Sequence, residues 1–313
     1  MRKEIQLYEY QKDMLRQIED AFVTHQSVMV QMPTGTGKTV LISEVVKREE
    51  RRVKNPCVWI VVHRRELVEQ IKETLERRLG TSLDAEREKL SVIEVFSIQW
   101  LSRHYQELDE QPTLIVIDEA HHAVAKTYEE VMNAYPNAKK LGVTATPCRL
   151  TKRGFTDLFE VLLCSHSIPK FIKEGYLSDF DYISLNPNSE DQKKIDGLEK
   201  RAADGDYNIA EMQEVLDCKP SIGRLYQTIK DFAAGKKGIV YAINIEHAEH
   251  IAEYYREQGL AAVAISSKTP KEERRRMIEL SRREAQGISL TVPHQALLRL
   301  LDKTKHRKEF KYW

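Results

Sequence analysis

The sequence predicts an α/β protein in which residues 1–165 form one doubly wound lobe around a parallel sheet. Short apolar runs alternate there with longer amphipathic stretches. The runs are apolar throughout rather than at every second position, which indicates strands buried on both faces by helices. A second pattern of the same kind begins near residue 238. We therefore expect two lobes of unequal size.

The first lobe contains five runs with strand character, separated by patterns of helical type. Strands of a parallel sheet must be joined by crossover connections, and the intervening stretches are long enough to form them. The expected strands are Ser27–Gln31, Cys57–Val62, Val92–Phe96, Leu114–Asp118 and Leu141–Thr144, and the expected helices include Thr39–Arg52, Glu66–Leu79 and Thr127–Ala134.

Residues 166–220 differ in composition and are expected to form a connector with some helix and no deep core. They carry Asn186-Pro187-Asn188-Ser189 and then the polar run Glu190–Asp206. Residues 221–290 resume the α/β pattern as a partial second lobe, and residues 291–313 form a basic C-terminal tail. The expected elements are strand Gly238–Ile243, helix Glu246–Gln258, strand Ala261–Ser266, basic helix Pro270–Arg282 and a short amphipathic helix over Gln295–Lys303.

Charge is balanced overall but unevenly placed. The 313 residues include 49 Lys and Arg against 48 Asp and Glu, a net charge of +1, which excludes a uniformly basic nucleic-acid coat. From Lys268 to Trp313 there are 13 Lys and Arg against 6 Asp and Glu, a net of +7. A basic end on an acidic body suggests an anionic partner, although a solvated helix face explains it equally well.

Cysteine usage and apolar runs favour a cytoplasmic protein with no membrane segment. Cys57, Cys148, Cys164 and Cys218 form no Cys-x-x-Cys pair, so neither a zinc ribbon nor a disulfide framework is indicated. Reduced thiols are the default for such a chain. The first residues lack the apolar core of a secretory signal, and the longest apolar runs are far too short to span a bilayer.

A phosphate-binding loop is the strongest chemical signal. The loop follows an expected strand and opens an expected helix, so its backbone N–H groups and the helix dipole favour bound phosphates. Lys38 can reach the β- and γ-phosphates, and the Thr39 hydroxyl can ligate Mg²⁺. Met occupies position 32, where the strict pattern has Gly. The loop reads Met32-Pro33-Thr34-Gly35-Thr36-Gly37-Lys38-Thr39, with ATP as the expected ligand of Thr34, Gly35, Thr36, Gly37, Lys38 and Thr39.

Two acids end the apolar run Leu114–Asp118, and they supply what hydrolysis needs beyond nucleotide binding. Open α/β sheets bind ligands at the carboxyl ends of their strands. Asp118 is expected to hold Mg²⁺, and Glu119 to act as the general base that polarises the attacking water. His121 and His122 follow directly, and we interpret them as hydrogen-bonding residues rather than zinc ligands.

Gly-x-Gly-Lys-Thr, Asp-Glu-Ala-His and then Thr144-Ala145-Thr146-Pro147, in this order, resemble the motor core of a superfamily 2 helicase. More narrowly, the set is similar to the DEAD/DEAH-related group that contains type III restriction subunits and repair helicases. This resemblance implies RecA-like lobes, ATP hydrolysis with Mg²⁺, and binding of a nucleic acid, with DNA favoured over RNA.

The resemblance also implies roles for further residues. Gln11 would hydrogen-bond adenine, although it could be an ordinary helix-surface residue. Contacts with the nucleic-acid backbone are sequence-independent and would come from hydroxyl, amide and cationic groups. Arg64, Arg65, Ser97 and Gln99 are the expected nucleic-acid contacts, and His121, Thr144 and Thr146 are the expected residues that couple hydrolysis to movement.

One element of the family is missing from the sequence. Members carry Gln-x-x-Gly-Arg-x-x-Arg in the second lobe, whose arginines stabilise the transferring phosphoryl group. Gly223-Arg224 lacks the preceding Gln and comes before the second lobe's first expected strand. The chain could be a truncated or rearranged form of a longer helicase, the interpretation we favour. Alternatively, a protein partner supplies the arginine, or the chain turns over little ATP.

Three functions remain open at this point. The favoured one is a nucleic-acid-dependent ATPase of helicase type. The first rival is an ATP-gated nucleic-acid clamp without useful turnover, which the missing arginine element supports and Glu119 opposes. The second rival is a small-molecule kinase, which needs no water-activating acid, so Glu119 argues against it.

Overall fold

The structure, a computed structural model, describes residues 6–63, 65–79, 92–123, 126–147, 158–181, 183, 188–199, 207–283 and 289–293. By its internal contacts the chain divides into two compact units, Met1–Leu177 and Ser178–Trp313. Arg64 and the expected helix Gln295–Lys303 lie outside the described residues.

The first unit alternates strands and helices, as the sequence predicts. All five expected strands form, and three of the expected helices each begin one residue earlier than predicted. The elements are α1 (Glu9–Thr24), β1 (Ser27–Gln31), α2 (Lys38–Arg52), β2 (Cys57–Val62), α3 (Arg65–Leu79), β3 (Val92–Ser97), α4 (Ile98–His104), β4 (Leu114–Asp118), α5 (Lys126–Ala134), β5 (Lys139–Thr144), β6 (Val161–Cys164) and α6 (Ile168–Lys173).

The six strands form one parallel sheet in the order β3-β2-β4-β5-β1-β6. Successive side chains of a strand point to opposite faces, and here each face has its own core. Val28 and Val30 pack on one side, with α1 and α2, while Met29 packs on the other. Burial on both faces is why the strands are apolar at every position, and it confirms the predicted α/β class.

The expected elements of the first unit did not include α1, α4 or β6. Strand β6 is short and lies at the sheet edge, where its side chains stay partly exposed. Strand β5 also begins two residues earlier than predicted, since it includes Lys139 and Lys140. The Lys140 side chain is buried there. Its ammonium donates to the carbonyls of Tyr135 and Ala138 at 2.9 and 3.0 Å, and burial lowers its pKa. These bonds satisfy a cation that the sequence pattern places outside a strand.

The described part of the second unit contains a smaller parallel sheet of three strands. Their order is β7 (Gly238–Ala242), β9 (Ser289–Pro293), β8 (Ala262–Ala264). The core of this unit includes Ile222, Val240, Ile251 and Tyr255. Strand β9 was not predicted, and it places residues 291–293 of the expected tail in the sheet. The elements are α7 (Glu190–Asp196), α8 (Ile209–Leu216), α9 (Lys219–Ala233), β7 (Gly238–Ala242), α10 (Ile245–Glu257), β8 (Ala262–Ala264), α11 (Lys271–Arg283) and β9 (Ser289–Pro293).

None of the helices in the described parts of the chain is both long enough and apolar enough to cross a membrane.

Candidate nucleotide-binding site

The phosphate loop connects the carboxyl end of β1 to α2. Gly35 and Gly37 have φ angles of 97° and 94°, in the left-handed region that glycine adopts without a Cβ clash. Helix α2 begins at Lys38, so its unpaired N–H groups and positive dipole end adjoin the loop. Met32, which replaces the expected Gly, is fully buried, and its N–H donates to the Thr144 carbonyl at 2.9 Å.

Helix α1 holds the loop in place from the side. The Tyr10 hydroxyl and Gln11 Nε2 both donate to the Thr36 carbonyl, at 2.7 and 3.1 Å. Gln11 is only 3% exposed, so it is not a surface glutamine, and its Oε1 accepts from the Tyr8 N–H at 3.1 Å. A Cβ on Gly37 would come within 2.6 Å of Gln11 Nε2. Gln11 therefore shapes the phosphate loop, whatever it does toward adenine.

Lys38 and Glu119 meet across the carboxyl edge of the sheet. Lys38 Nζ lies 3.9 Å from Glu119 Oε1, with 11% of the Lys38 side chain exposed and 37% of the Glu119 side chain. The Glu119 N–H donates to Asp118 Oδ1 at 3.0 Å. Among the described residues Glu119 is the one non-glycine with positive φ, at 51°. Such strain concentrates at functional sites, and here it directs a carboxylate toward the phosphate loop.

A short chain of polar contacts extends from Glu119 to the end of β5. His121 Nδ1 lies 3.4 Å from Glu119 Oε2 and 2.9 Å from Thr144 Oγ1. The Thr144 hydroxyl donates to the Thr146 carbonyl at 3.2 Å and accepts from the Thr146 N–H at 3.1 Å. Since that hydroxyl has a single proton, His121 Nδ1 is the donor of their shared bond.

The donor set at this edge suits Mg²⁺. Thr39 is in the first turn of α2, and Asp118 ends β4, so a hydroxyl and a carboxylate are available at the carboxyl edge of the sheet. Mg²⁺ takes oxygen ligands and commonly uses one or two protein groups, completing its shell with water and phosphates. Within the described residues no group of three or more His, Cys, Asp or Glu could hold a metal ion.

The expected nucleic-acid contacts lie at the ends of β2 and β3. Gln99 Nε2 donates to the His63 carbonyl at 2.6 Å, which ties α4 to the end of β2. Ser97 is buried and caps α4, because its Oγ accepts the Trp100 N–H at 3.3 Å. Arg65 opens α3, and its side chain, like Arg64, lies outside the described residues.

The sequence reasoning missed an aromatic cluster beside Gln11. Tyr8 stacks near Tyr10, with ring centroids 5.7 Å apart, and Tyr176 lies edge-on to both. Phe171 of α6 completes the cluster against Tyr10. The sequence does carry Tyr8 and Tyr10 just before Gln11. These two tyrosines alone are equally typical of an ordinary apolar helix start, so they did not predict the cluster.

Residues 4–149 match the family described as type III restriction enzyme, res subunit. The chain is a superfamily 2 helicase-like protein. A 51.5 kDa protein of Lactococcus phage (isolate 7-9) is 32% identical over 250 residues, 80% of this chain and 51% of the phage protein. The DNA 3'-5' translocase XPB2 of Sulfurisphaera tokodaii is 25% identical over 214 residues, 65% of this chain and 46% of the translocase. This helicase-like chain thus spans about half the length of these relatives.

Solved structures agree on the fold of this superfamily 2 helicase-like chain. The Hef helicase domain of Pyrococcus furiosus superposes with a TM-score of 0.56 and 14% identity, covering 96% of this chain and 93% of that one. A fragment described as an HsdR subunit of a type I restriction enzyme from Vibrio vulnificus YJ016 superposes with a TM-score of 0.62 and 17% identity. The match covers 93% of this chain and 54% of that one. The fold is RecA-like.

Proposed function

We propose that this chain binds ATP·Mg²⁺ at the phosphate loop, hydrolyses it, and couples hydrolysis to contacts with a nucleic-acid backbone, with DNA favoured. The observation that carries the proposal is the distance of 3.9 Å between Lys38 Nζ and Glu119 Oε1. It joins a phosphate-binding cation to a carboxylate that can polarise water. A kinase needs no residue that activates water, because its phosphoryl acceptor is a substrate group and water must be kept away from the transferred phosphoryl group.

Each residue of the site has a defined task in this proposal. Backbone N–H groups from Thr34 to Lys38 bind the phosphates, and the Lys38 ammonium neutralises charge on the β- and γ-phosphates. Glu119 accepts the proton of the attacking water. Thr39 and Asp118 would hold Mg²⁺, which supplies charge neutralisation at the phosphates when bound.

The coupling role is proposed for His121, Thr144 and Thr146. Glu119 contacts His121, and His121 hydrogen-bonds Thr144. The Thr144 hydroxyl in turn accepts from the Thr146 N–H, so a change at Glu119 can reach the segment after β5 through three contacts. Arg64, Arg65, Ser97 and Gln99 are the proposed contacts with the nucleic-acid backbone. The name of the Sulfurisphaera relative, a DNA translocase, supports DNA as the nucleic acid.

The test is steady-state phosphate release from ATP·Mg²⁺ at one fixed low salt concentration, without nucleic acid and with single-stranded DNA, duplex DNA or RNA. The proposal expects release to increase with DNA, and less with RNA. Salt must be fixed because backbone contacts weaken steeply as salt rises. A rate that no nucleic acid changes would contradict the coupling.

A second candidate function, an ATP-gated clamp with little turnover, is favoured by the state of Arg224. Its guanidinium is fixed by Asp191, with Nη2 to Oδ1 at 2.6 Å and Nε to Oδ2 at 2.7 Å. An arginine held this way is a structural ion pair rather than a finger for phosphate. Without an arginine from a protein partner, the clamp predicts ATP binding with release no faster when DNA is added.

A further inference from the structure

Three aromatic rings form a row where β3 runs into α4. The ring centroids of Phe96 and Trp100 are 5.1 Å apart with an interplanar angle of 6°, and those of Trp100 and His104 are 4.5 Å apart at 11°. We call Phe96, Trp100 and His104 the aromatic column. Aromatic pairs at this spacing and angle are stacked, so Phe96 and His104 cover the two faces of Trp100, and the column offers a flat face at its His104 end.

The column is fixed before anything binds to it. At its inner end Phe96 meets Trp59 edge-on, with centroids 5.6 Å apart, and Trp59 belongs to the buried core. At its outer end His104 Nδ1 lies 2.8 Å from the Trp100 carbonyl. A carbonyl can only accept, so Nδ1 carries a proton and the imidazole is held in orientation. Rings ordered in advance lose little entropy when a ligand stacks on them.

The column is also exposed. Trp100 is 42% exposed, although indole is among the largest apolar side chains. Gln99 and Arg103, its neighbours on α4, are exposed as well. An accessible aromatic ring next to a guanidinium and an amide is the combination that binds nucleobases by stacking and cation–π contact.

The local charge favours a base over a phosphate. Glu107 and Asp109 come a few positions after Arg103 in the sequence and are also exposed, so the charges of this segment are mixed in sign. A purely electrostatic site would lack these carboxylates. The flat rings, rather than the charge, are what this surface offers.

We propose that the aromatic column is a stacking platform for a base of single-stranded nucleic acid, with His104 as the contacting ring and Trp100 as the ring that supports it. The inference rests on the proposed function, since it assumes that the first unit binds nucleic acid. It adds a base contact next to the expected backbone contacts Ser97 and Gln99. In a duplex the bases already stack on each other, so the platform acts on single strands.

The test measures binding by fluorescence anisotropy with three probes: a short oligothymidylate, an abasic strand of equal length, and a duplex. The variants are Trp100→Ala, His104→Ala and His104→Tyr, which keeps an aromatic ring. Phe232→Ala removes an exposed aromatic ring from α9 and serves as the control. Trp100→Ala and His104→Ala should weaken oligothymidylate binding by roughly 5- to 100-fold, as loss of one base–aromatic stack does. Both should leave the abasic strand and the duplex unchanged, and His104→Tyr should restore affinity.

The outcomes separate this inference from the proposed function. If the unmodified chain binds none of the probes, the proposed function fails and the platform with it. If the chain binds but Trp100→Ala and His104→Ala behave like Phe232→Ala, only the platform is overturned. Equal weakening on the oligothymidylate and the abasic strand would also overturn it, because the rings would then act through the fold and not through a base.

Discussion

Lys38 Nζ lies 3.9 Å from Glu119 Oε1, although one residue opens α2 and the other follows β4. The parallel sheet produces this meeting, since the carboxyl ends of β1, β5 and β4 share one edge. Lys47 and Glu44 on α2 show the same distance as an ordinary helix-surface pair. The difference is that Lys38 is nearly buried and faces the phosphate loop, so its charge is little screened by solvent.

Gly37→Ala should abolish nucleotide binding while the chain stays folded. The new Cβ would stand 2.6 Å from Gln11 Nε2 and would force a positive φ on alanine. Gly175→Ala is the matched control, because its φ is also positive, at 76°, and no atom lies within 4 Å of the new Cβ. Both substitutions cost about 1–2 kcal/mol of backbone strain. Calorimetric titration with ATP·Mg²⁺ that finds equal affinity for the two variants would refute the packing argument.

Glu119→Gln should keep ATP binding and reduce turnover by about 10²- to 10⁴-fold, the usual contribution of a general base. The amide cannot accept the water proton, while it preserves the shape of the side chain. The comparison is Glu44→Gln, at the carboxylate of the surface pair on α2, which should hydrolyse at the normal rate. Single-turnover hydrolysis measures the chemical step alone. A Glu119→Gln variant as fast as the unmodified chain would remove Glu119 as the base.

Thr144→Val should uncouple hydrolysis from nucleic acid. The change removes the hydroxyl that contacts His121 and Thr146 and leaves the side-chain volume nearly the same. We expect basal phosphate release within about threefold of normal and a loss of at least tenfold in its stimulation by DNA, the size of a coupling energy of ~1–3 kcal/mol. Thr113→Val is the control, because Thr113 immediately precedes β4, at the edge of the sheet away from the candidate site. The change removes a hydroxyl that donates to the Cys57 carbonyl and should leave stimulation intact. Equal stimulation in both variants would contradict the coupling role.

Arg224→Gln should destabilise the second unit by about 2 kcal/mol and leave the chemical step unchanged, because it strands the buried Asp191 carboxylate. Hydrogen bonding by Arg224 holds the pKa of Asp191 below its ordinary value. The stabilisation is therefore complete above about pH 4, the usual pKa of an aspartate, and is lost as the pH falls through the folded-state pKa.

Urea unfolding at neutral and acidic pH measures this effect. Arg275→Gln, which breaks an exposed pair with Glu272, is the control and should cost under about 0.5 kcal/mol. An Arg224→Gln variant as stable as that control would contradict the structural role of the ion pair. A variant that stops single-turnover hydrolysis without unfolding would show that Arg224 serves phosphate chemistry.

The first sheet was predictable because its strands are buried on both faces and uniformly apolar. Cys57–Val62 and Leu114–Asp118 match the structure at both ends for this reason. Strand β9 was not predictable, because Ser289, Thr291 and Pro293 interrupt its apolar character. It pairs with β7 and β8 from a distant part of the chain, and such pairing leaves no local signal.

The candidate site also has features that the sequence predicts and features that only the structure reveals. The proximity of Lys38 and Glu119 was predictable, because both residues follow strands whose carboxyl ends share one edge of the sheet. The bonds from Tyr10 and Gln11 to the Thr36 carbonyl were not, since they depend on how α1 packs against the loop. Ser97 likewise carries a hydroxyl suited to phosphate contact, and only the structure reveals its use as a helix cap.

The central claim is that Lys38 and Glu119 form one ATP-hydrolysing site. The most direct measurement is phosphate release from saturating ATP·Mg²⁺ with single-stranded DNA for the unmodified chain, Lys38→Ala and Lys47→Ala. The account predicts that release survives in Lys47→Ala and falls to background in Lys38→Ala. Release by Lys38→Ala at the rate of the Lys47→Ala variant would contradict it.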